Sequence, residues 1–171
     1  MCADRLITFA YGSNMATVRL RERCPSAVPL GVAELNGYEL RWHKKSTDGS
    51  GKCDIVPLTS PEAQVLGVLY EIADAEKGAL DRAEGLGHGY KEIEIQVLCD
   101  GKKMTANAYQ ATEIDHSLTP YTWYRALVLA GAKEHRLPED YIARLAAVSA
   151  QEDPDRERHN KYMYLIGEVE G

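Results

Sequence analysis

The sequence predicts an α+β fold: a mixed, mainly antiparallel β-barrel with short flanking helices. Three observations predict it. Roughly six or seven segments have strand character, with short helix-favouring segments between them. Two turn dipeptides, Asn36-Gly37 and Asp100-Gly101, sit between apolar runs, and strands joined by so short a turn must run antiparallel. A sheet of that size exposes two unpaired edges unless it closes, so a closed or half-closed barrel is the favoured form.

The elements follow in order. Leu6 to Tyr11 is apolar and β-rich and ends in Gly12-Ser13-Asn14, which reads as strand, then loop. Ala16 to Arg23 carries helix formers, and Pro25 stops it. Ala27 to Leu35 and Tyr38 to His43 flank Asn36-Gly37 and read as a hairpin, because both turn residues accept positive φ. Lys44 to Lys52 is polar with two glycines and reads as an exposed loop. Cys53 to Leu58 and Gln64 to Ile72 are further strands. Asp74 fits an N-cap for a helix over Ala75 to Glu84, with Gly85 as its C-cap. Tyr90 to Asp100 alternates, with Ile93, Ile95 and Val97 inward and Glu92, Glu94 and Gln96 outward. Asp100-Gly101 turns the chain, and Thr105 to Ala111 returns. Thr119 and Pro120 fit the N-cap and N1 of a helix through Ala130, and Pro138 opens another to about Val148. Residues 1–150 read as one domain. From Gln151 the chain is a charged C-terminal extension, 151–171, interrupted by Pro154: either it is mobile, or Tyr162 to Ile166 docks as a last element.

Composition excludes several functions. A chain of 171 residues, 44% apolar and 27% charged, builds one domain with a substantial core. Its net charge of −6 argues against nucleic acid, whose phosphates need a basic surface. That charge fits either a cationic substrate or plain solubility, and solubility is the default. Cys2, Cys24, Cys53 and Cys99 are irregularly spaced and form no C-x-x-C pair, so neither a disulfide framework nor a zinc ribbon is indicated. Met1 to Arg5 lacks the apolar run of a signal peptide, and the longest apolar stretch, Ala126 to Ala130, is too short to span a bilayer. A cytoplasmic protein without a membrane partner is expected. None of the five histidines pairs at i, i+4 with a third ligand nearby, so no metal site is expected. Gly85, Gly87 and Gly89 follow a helix and precede a strand, the reverse of a dinucleotide fingerprint, and read as a joint. Ser13 lies outside any G-x-S-x-G elbow and reads as a loop serine. Cys53 and Cys99 fall in strands, where a buried, inert thiol is the default.

Two features reduce less easily to packing. In the Tyr11-Gly12-Ser13-Asn14-Met15 loop, Gly12 allows close backbone approach, and successive amides leading into a helical turn can face an anion or oxyanion. A plain strand-to-helix turn explains the spacing equally well. The second is Glu84. It ends its helix, where the macrodipole disfavours negative charge, a setting suited to a carboxyl group that exchanges a proton. A solvated glutamate in a frayed turn is the plainer reading.

Together these residues resemble a known family. Phe9-Ala10-Tyr11-Gly12-Ser13-Asn14-Met15 is similar to the signature loop of the γ-glutamylcyclotransferase superfamily, the AIG2-like proteins. Gly67-Val68-Leu69-Tyr70-Glu71-Ile72 resembles its central strand, and Leu80-Asp81-Arg82-Ala83-Glu84-Gly85 its L-D-x-x-E-G helix end. Tyr90, Tyr124, Gly131-Ala132-Lys133-Glu134 and Leu137-Pro138 also fit, the last stretch favouring the branch that acts on γ-glutamyl amino acids over the glutathione-specific one. The likeness runs from about Leu6 to Val148. It implies a compact barrel, often dimeric, needing no metal or cofactor. It implies a small γ-glutamyl substrate cyclised to 5-oxoproline, with Glu84 as acid and base. Tyr11, Gly12, Ser13, Asn14, Met15, Tyr90 and Tyr124 are then the substrate-binding residues. The alternative is a non-catalytic γ-glutamyl-binding or assembly module of the same fold, which the presence of Glu84 disfavours. Two departures bear on substrate choice: Gly51-Lys52-Cys53-Asp54-Ile55 stands where relatives carry smaller residues, so Cys53 or Asp54 reshapes the acceptor side, and the tail beyond Gln151 has no clear counterpart.

Overall fold

The computed structural model describes residues 4–170, which leaves Cys2 and the start of the N-terminal segment outside the described residues. Seven strands are present: β1 (Arg5–Ala10), β2 (Val28–Asn36), β3 (Tyr38–Lys45), β4 (Gly51–Pro57), β5 (Gln64–Ala73), β6 (Tyr90–Cys99) and β7 (Lys102–Ala111). Five helices accompany them: α1 (Thr17–Arg21), α2 (Lys77–Glu84), α3 (Thr122–Glu134), α4 (Glu139–Ala146) and α5 (Arg156–Glu170). Short 3-10 turns cover Ser13–Met15 and Asp74–Glu76.

Five strands close a barrel in the order β1-β5-β2-β6-β7. Every pairing is antiparallel except the closing seam, where β1 meets β7 in parallel at Thr8 and Asn107. The interior is aliphatic, with Val65, Val68, Leu69 and Ile72 of β5 fully buried, because β5 is central and covered on both faces. The β6–β7 hairpin forms as expected. Asp100 and Gly101 both take positive φ, 51° and 75°, which matches the right-handed twist of the paired strands.

The other turn does not make a hairpin. Gly37 has the positive φ, 82°, that its dipeptide suggests, but β2 pairs with β5 and β6 while β3 pairs with β4 in a separate two-stranded sheet. The Gly37 amide donates to Ala63 and its carbonyl accepts from Leu58, so the turn moves the chain from barrel to second sheet. The segment Lys44 to Lys52 also differs from the exposed loop expected. Lys44, Ser46 and Ser50 are buried, and Asp48 accepts from both the amide and the hydroxyl of Ser50 at 3.0 and 2.6 Å. Asp74 does not cap α2; it opens the preceding 3-10 turn, and Glu76 takes the cap position without a side-chain bond. Helix α3 starts at Thr122 with Tyr121 at the cap, later than Thr119-Pro120 suggest.

The segment after Gln151 packs on the barrel's helical layer as α5. Tyr162 stacks on Trp123 of α3 with ring centroids 4.0 Å apart and planes 13° from parallel. Asp153, only 1% exposed, accepts from the Trp123 indole at 2.8 Å and from both ends of the Arg158 guanidinium at 2.5 and 2.7 Å. Such a forked, charge-assisted pair fixes orientation as well as distance. No helix among the described residues is long and apolar enough to cross a membrane.

Candidate active site

Strand β1 ends at the barrel rim, and its continuation Tyr11-Gly12-Ser13-Asn14 forms one wall of a half-open pocket of about 350 Å³ including its mouth. Cys53 of β4, Glu84 at the end of α2, Tyr90 opening β6, Tyr109 of β7 and Tyr124 of α3 form the rest, with Phe9 and Ala10 at the floor. Glu84 is the last residue of its helix because Gly85 takes the left-handed conformation, φ 70°, and ends the hydrogen-bond ladder. The half-buried carboxylate is met by the loop: Asn14 Nδ2 donates to Glu84 Oε1 at 2.5 Å. The two features singled out in the sequence, seventy residues apart, are therefore one site.

Gly12 is needed for contact with protein. A Cβ there would lie 3.1 Å from both the Cβ of Cys53 and the hydroxyl of Tyr124. Beyond it the chain enters the 3-10 turn, where the amides of Met15 and Ala16 bond back to the carbonyls of Gly12 and Ser13. The amides of Ser13 and Asn14 have no acceptor within that turn, as the first amides of any helical turn must. Met15 does not reach the pocket. The turn rotates its side chain into the core, where it is fully buried, and its carbonyl accepts from the Tyr70 hydroxyl at 2.7 Å.

The tyrosines divide by where their hydrogens go. Tyr11 donates to the Tyr109 carbonyl, Tyr90 to the Cys53 carbonyl at 2.7 Å, and Tyr109 to Asp81 at 2.6 Å. Tyr124 accepts from the Cys53 amide at 3.1 Å and gives its own hydrogen to no oxygen or nitrogen among the described residues. Burial first, then nearby acids such as Glu84, pushes Tyr11, Tyr90 and Tyr124 well above the usual phenol range, so they are donors at any working pH. Burial also pushes the Cys53 thiol up to about 12, against the pull of the Tyr124 hydroxyl, which leaves it a poor nucleophile.

Asp54 points away from Cys53, as alternation in a strand requires. It is buried with His43, Oδ2 to Nε2 at 2.7 Å, and its other oxygen accepts from the Ala111 amide at 2.8 Å. It supports β4 from behind and does not line the pocket. Sequence reasoning missed Tyr109, whose only signal is its place near the end of a strand, and it missed Arg19, Arg23, Lys44 and Lys52, which line a neighbouring cavity. Among the described residues no three His, Cys, Asp or Glu side chains gather to hold a metal ion.

The closed barrel thus sets a carboxylate between a glycine loop and a ring of tyrosines, and residues 64–145 match the AIG2-like family. The chain is 34% identical over 151 residues to a γ-glutamylcyclotransferase of Bos taurus, covering 85% of this chain and 79% of that protein. It is 34% identical over 162 residues to the γ-glutamylcyclotransferase of Mus musculus, covering 87% and 81%. A solved structure of a γ-glutamyl cyclotransferase superimposes with a TM-score of 0.84 at 28% identity, over 96% of this chain and 99% of that one. The chain belongs to the γ-glutamylcyclotransferase family.

Proposed function

We propose that this protein cyclises a γ-glutamyl amide to 5-oxoproline, releasing the amine or amino acid beyond the amide, with Glu84 as general base and then general acid. The observation that carries the reading is the Asn14–Glu84 hydrogen bond, which joins the loop and the carboxylate at the pocket mouth. The substrate brings its own nucleophile. Its α-nitrogen attacks the γ-carbonyl carbon to form the ring, and the bond from that carbon to the leaving nitrogen breaks. Holding the two ends together is worth up to roughly 7–11 kcal/mol. Glu84 takes a proton from the α-ammonium before attack and returns it to the leaving nitrogen, and the second proton that the ring nitrogen sheds as the lactam forms is taken up by the released amine, which departs as an ammonium. Tyr124, whose hydroxyl sits beside the amide and thiol of Cys53, and the loop amides of Ser13 and Asn14 are the candidate donors to the oxyanion, each worth about 2.7–4 kcal/mol in comparable sites. Tyr11 and Tyr90 hold the walls through their bonds to Tyr109 and Cys53. The free, buried thiols of Cys24, Cys53 and Cys99 fit a reducing, cytoplasmic setting.

Glu84→Gln tests this. It keeps the bulk of the side chain and removes the proton exchange. The variant is expected to fold like the wild type by circular dichroism and to lose about 10²–10⁴-fold in 5-oxoproline release. Full activity in that variant would overturn the assignment.

A further inference from the structure

Beside that pocket lies a second cavity, about 390 Å³ including the open space at its mouth, that shares Ser13, Asn14, Glu84, Tyr90 and Tyr124 with it. What the second cavity adds is almost wholly basic: Arg19 and Arg23 from α1 and its C-terminal turn, Lys44 of β3 and Lys52 of β4. Four cations thus face one carboxylate, in a chain whose net charge is −6. Two of them are buried, Arg19 and Lys44 each at 8% exposure. The Arg19 Nε has no hydrogen-bond partner, and its guanidinium rests 4.8 Å from the centre of the Tyr162 ring. Lys44 Nζ sits 4.7 Å over Tyr90 with no carboxylate within ion-pair distance among the described residues. Arg23 bonds only to the Arg19 carbonyl, at 3.3 Å. Arg19 reaches Glu22 at 3.6 Å and Lys52 reaches Asp48 at 3.5 Å, both acids outside the cavity lining. Burial and then mutual repulsion lower both Lys44 and Arg23, through Lys52 and Arg19 respectively. Cations kept for solubility stand in water, and cations kept for structure are paired. These are neither.

We infer that this cavity receives the leaving residue of the substrate and selects one with two carboxylates: a γ-glutamyl amide of an acidic amino acid, such as γ-glutamyl-glutamate or γ-glutamyl-aspartate. The inference rests on the cyclotransferase reading of the pocket beside the loop. On that reading the pocket, which has no cation in its lining, takes the γ-glutamyl part. Glu84 belongs to both cavities, so the amide it acts on lies at their junction, and whatever follows the amide enters the basic one. A neutral leaving amino acid brings one carboxylate to four cations. An acidic one brings two, at the reach of side chains rising from α1 on one side and from β3 and β4 on the other. The overall acidity of the chain would favour a cationic partner at long range, but charges within the cavity act through less water and decide selection there.

The test is a steady-state comparison of γ-glutamyl-glutamate with γ-glutamyl-glutamine, its near-isosteric neutral counterpart, with γ-glutamyl-lysine as the cationic extreme. The acidic substrate is expected to lead the neutral one in kcat/KM by about tenfold or more, the worth of one charge-assisted contact. The lead should shrink in high salt and in a Lys44→Gln, Lys52→Gln variant. Loss of the Lys52–Asp48 pair should lower Tm by no more than about 4 °C; an undiminished acidic preference in that variant would mark the lysines as structural and overturn the inference. Equal kcat/KM for the acidic and neutral substrates would also overturn it. If no substrate yields 5-oxoproline, the cyclotransferase reading falls, and calorimetric titration of the Glu84→Gln protein then judges the cavity by itself: tighter binding of γ-glutamyl-glutamate than of γ-glutamyl-glutamine supports it, and equal or absent binding refutes it.

Discussion

Gly12→Ala adds one methyl group where three elements meet. Its carbon would stand 3.1 Å from the Cys53 Cβ, 3.1 Å from the Tyr124 hydroxyl and 3.6 Å from the Cys53 thiol, whereas ordinary contact begins near 3.4 Å. The Cys53 Cβ is fixed to β4 and cannot rotate away, so strand, loop or tyrosine must retreat by a few tenths of an ångström. Overpacking of this kind costs about 1–3 kcal/mol, and in a chain of this size each kcal/mol lowers Tm by roughly 2–4 °C, giving a fall of about 2–12 °C. The retreat also shifts Asn14 and Tyr124 against Glu84. Since a displacement of about 1 Å costs about a hundredfold in rate, a smaller shift should cost on the order of tenfold in kcat. Thermal unfolding by circular dichroism and 5-oxoproline release measure the two effects. A double-mutant cycle locates the cause, because Tyr124→Phe removes one of the two clashing atoms. It should destabilise the Gly12→Ala protein less than the wild type, with a coupling of about 0.5–3 kcal/mol. A Gly12→Ala protein with unchanged Tm and kcat, or a Tyr124→Phe cost that is equal in both backgrounds, would refute the close-approach account of this glycine.

Two further predictions concern the supports of the site. Asp54→Ala leaves His43 and the Ala111 amide without their buried hydrogen-bond partner and should cost about 1–3 kcal/mol, read as a drop in the midpoint of urea unfolding at constant slope; a loss under about 0.5 kcal/mol would mean that the pair is not a support. The Asp153 carboxyl is held down to about 2, chiefly by its hydrogen bonds to Arg158. A depressed carboxyl lends stability that is complete above its ordinary value of about 3.9 and is lost as pH falls through the folded value. Docking of α5, followed by Trp123 fluorescence in a Trp42→Phe background, should therefore weaken progressively between about pH 4 and pH 2, while Asp153→Asn should show the undocked signal already at neutral pH. A variant whose acid transition matches that of the parent would contradict the assignment.

Local physics explains which parts are legible in the sequence. Strands β6 and β7 are readable because one face is buried and the Asp100-Gly101 turn makes them neighbours. At Asn36-Gly37 the same local chemistry misleads. Positive φ at Gly37 is a property of the turn, but the partner of β2 is chosen by β5, a more apolar strand that arrives later in the chain. The polar run from Lys44 to Lys52 reads as exposed because composition carries no record of satisfied hydrogen bonds; Ser50 is buried since Asp48 bonds it twice. At the site, the loop and Glu84 are each visible, and the resemblance joins them. Met15 follows the loop in sequence and leaves it in space, because a 3-10 turn carries it inward. The four cations come from α1, its C-terminal turn, β3 and β4, so no window of sequence holds them together.

The parallel seam between β1 and β7 explains why so many separate segments meet at one rim. Parallel strands end on the same side, so the loop after β1 finds Tyr109 near the end of β7, and Tyr11 donates to its carbonyl. Strand β6 runs antiparallel to β7 and therefore begins at that rim, which places Tyr90 there. Helix α2 leads into β6 through Gly85, Gly87 and Gly89, all at positive φ, so Glu84 is delivered a few residues ahead of Tyr90. The tail extends the same logic outward. Tyr162 of α5 lies between Trp123, which packs edge-on against Tyr124 at 5.9 Å, and the guanidinium of Arg19. One aromatic ring thus braces a tyrosine that lines both cavities and a cation of the basic one. A tail helix that only covered the core would need apolar contact there and nothing more; the contact with Arg19 makes α5 a support of the basic cavity as well.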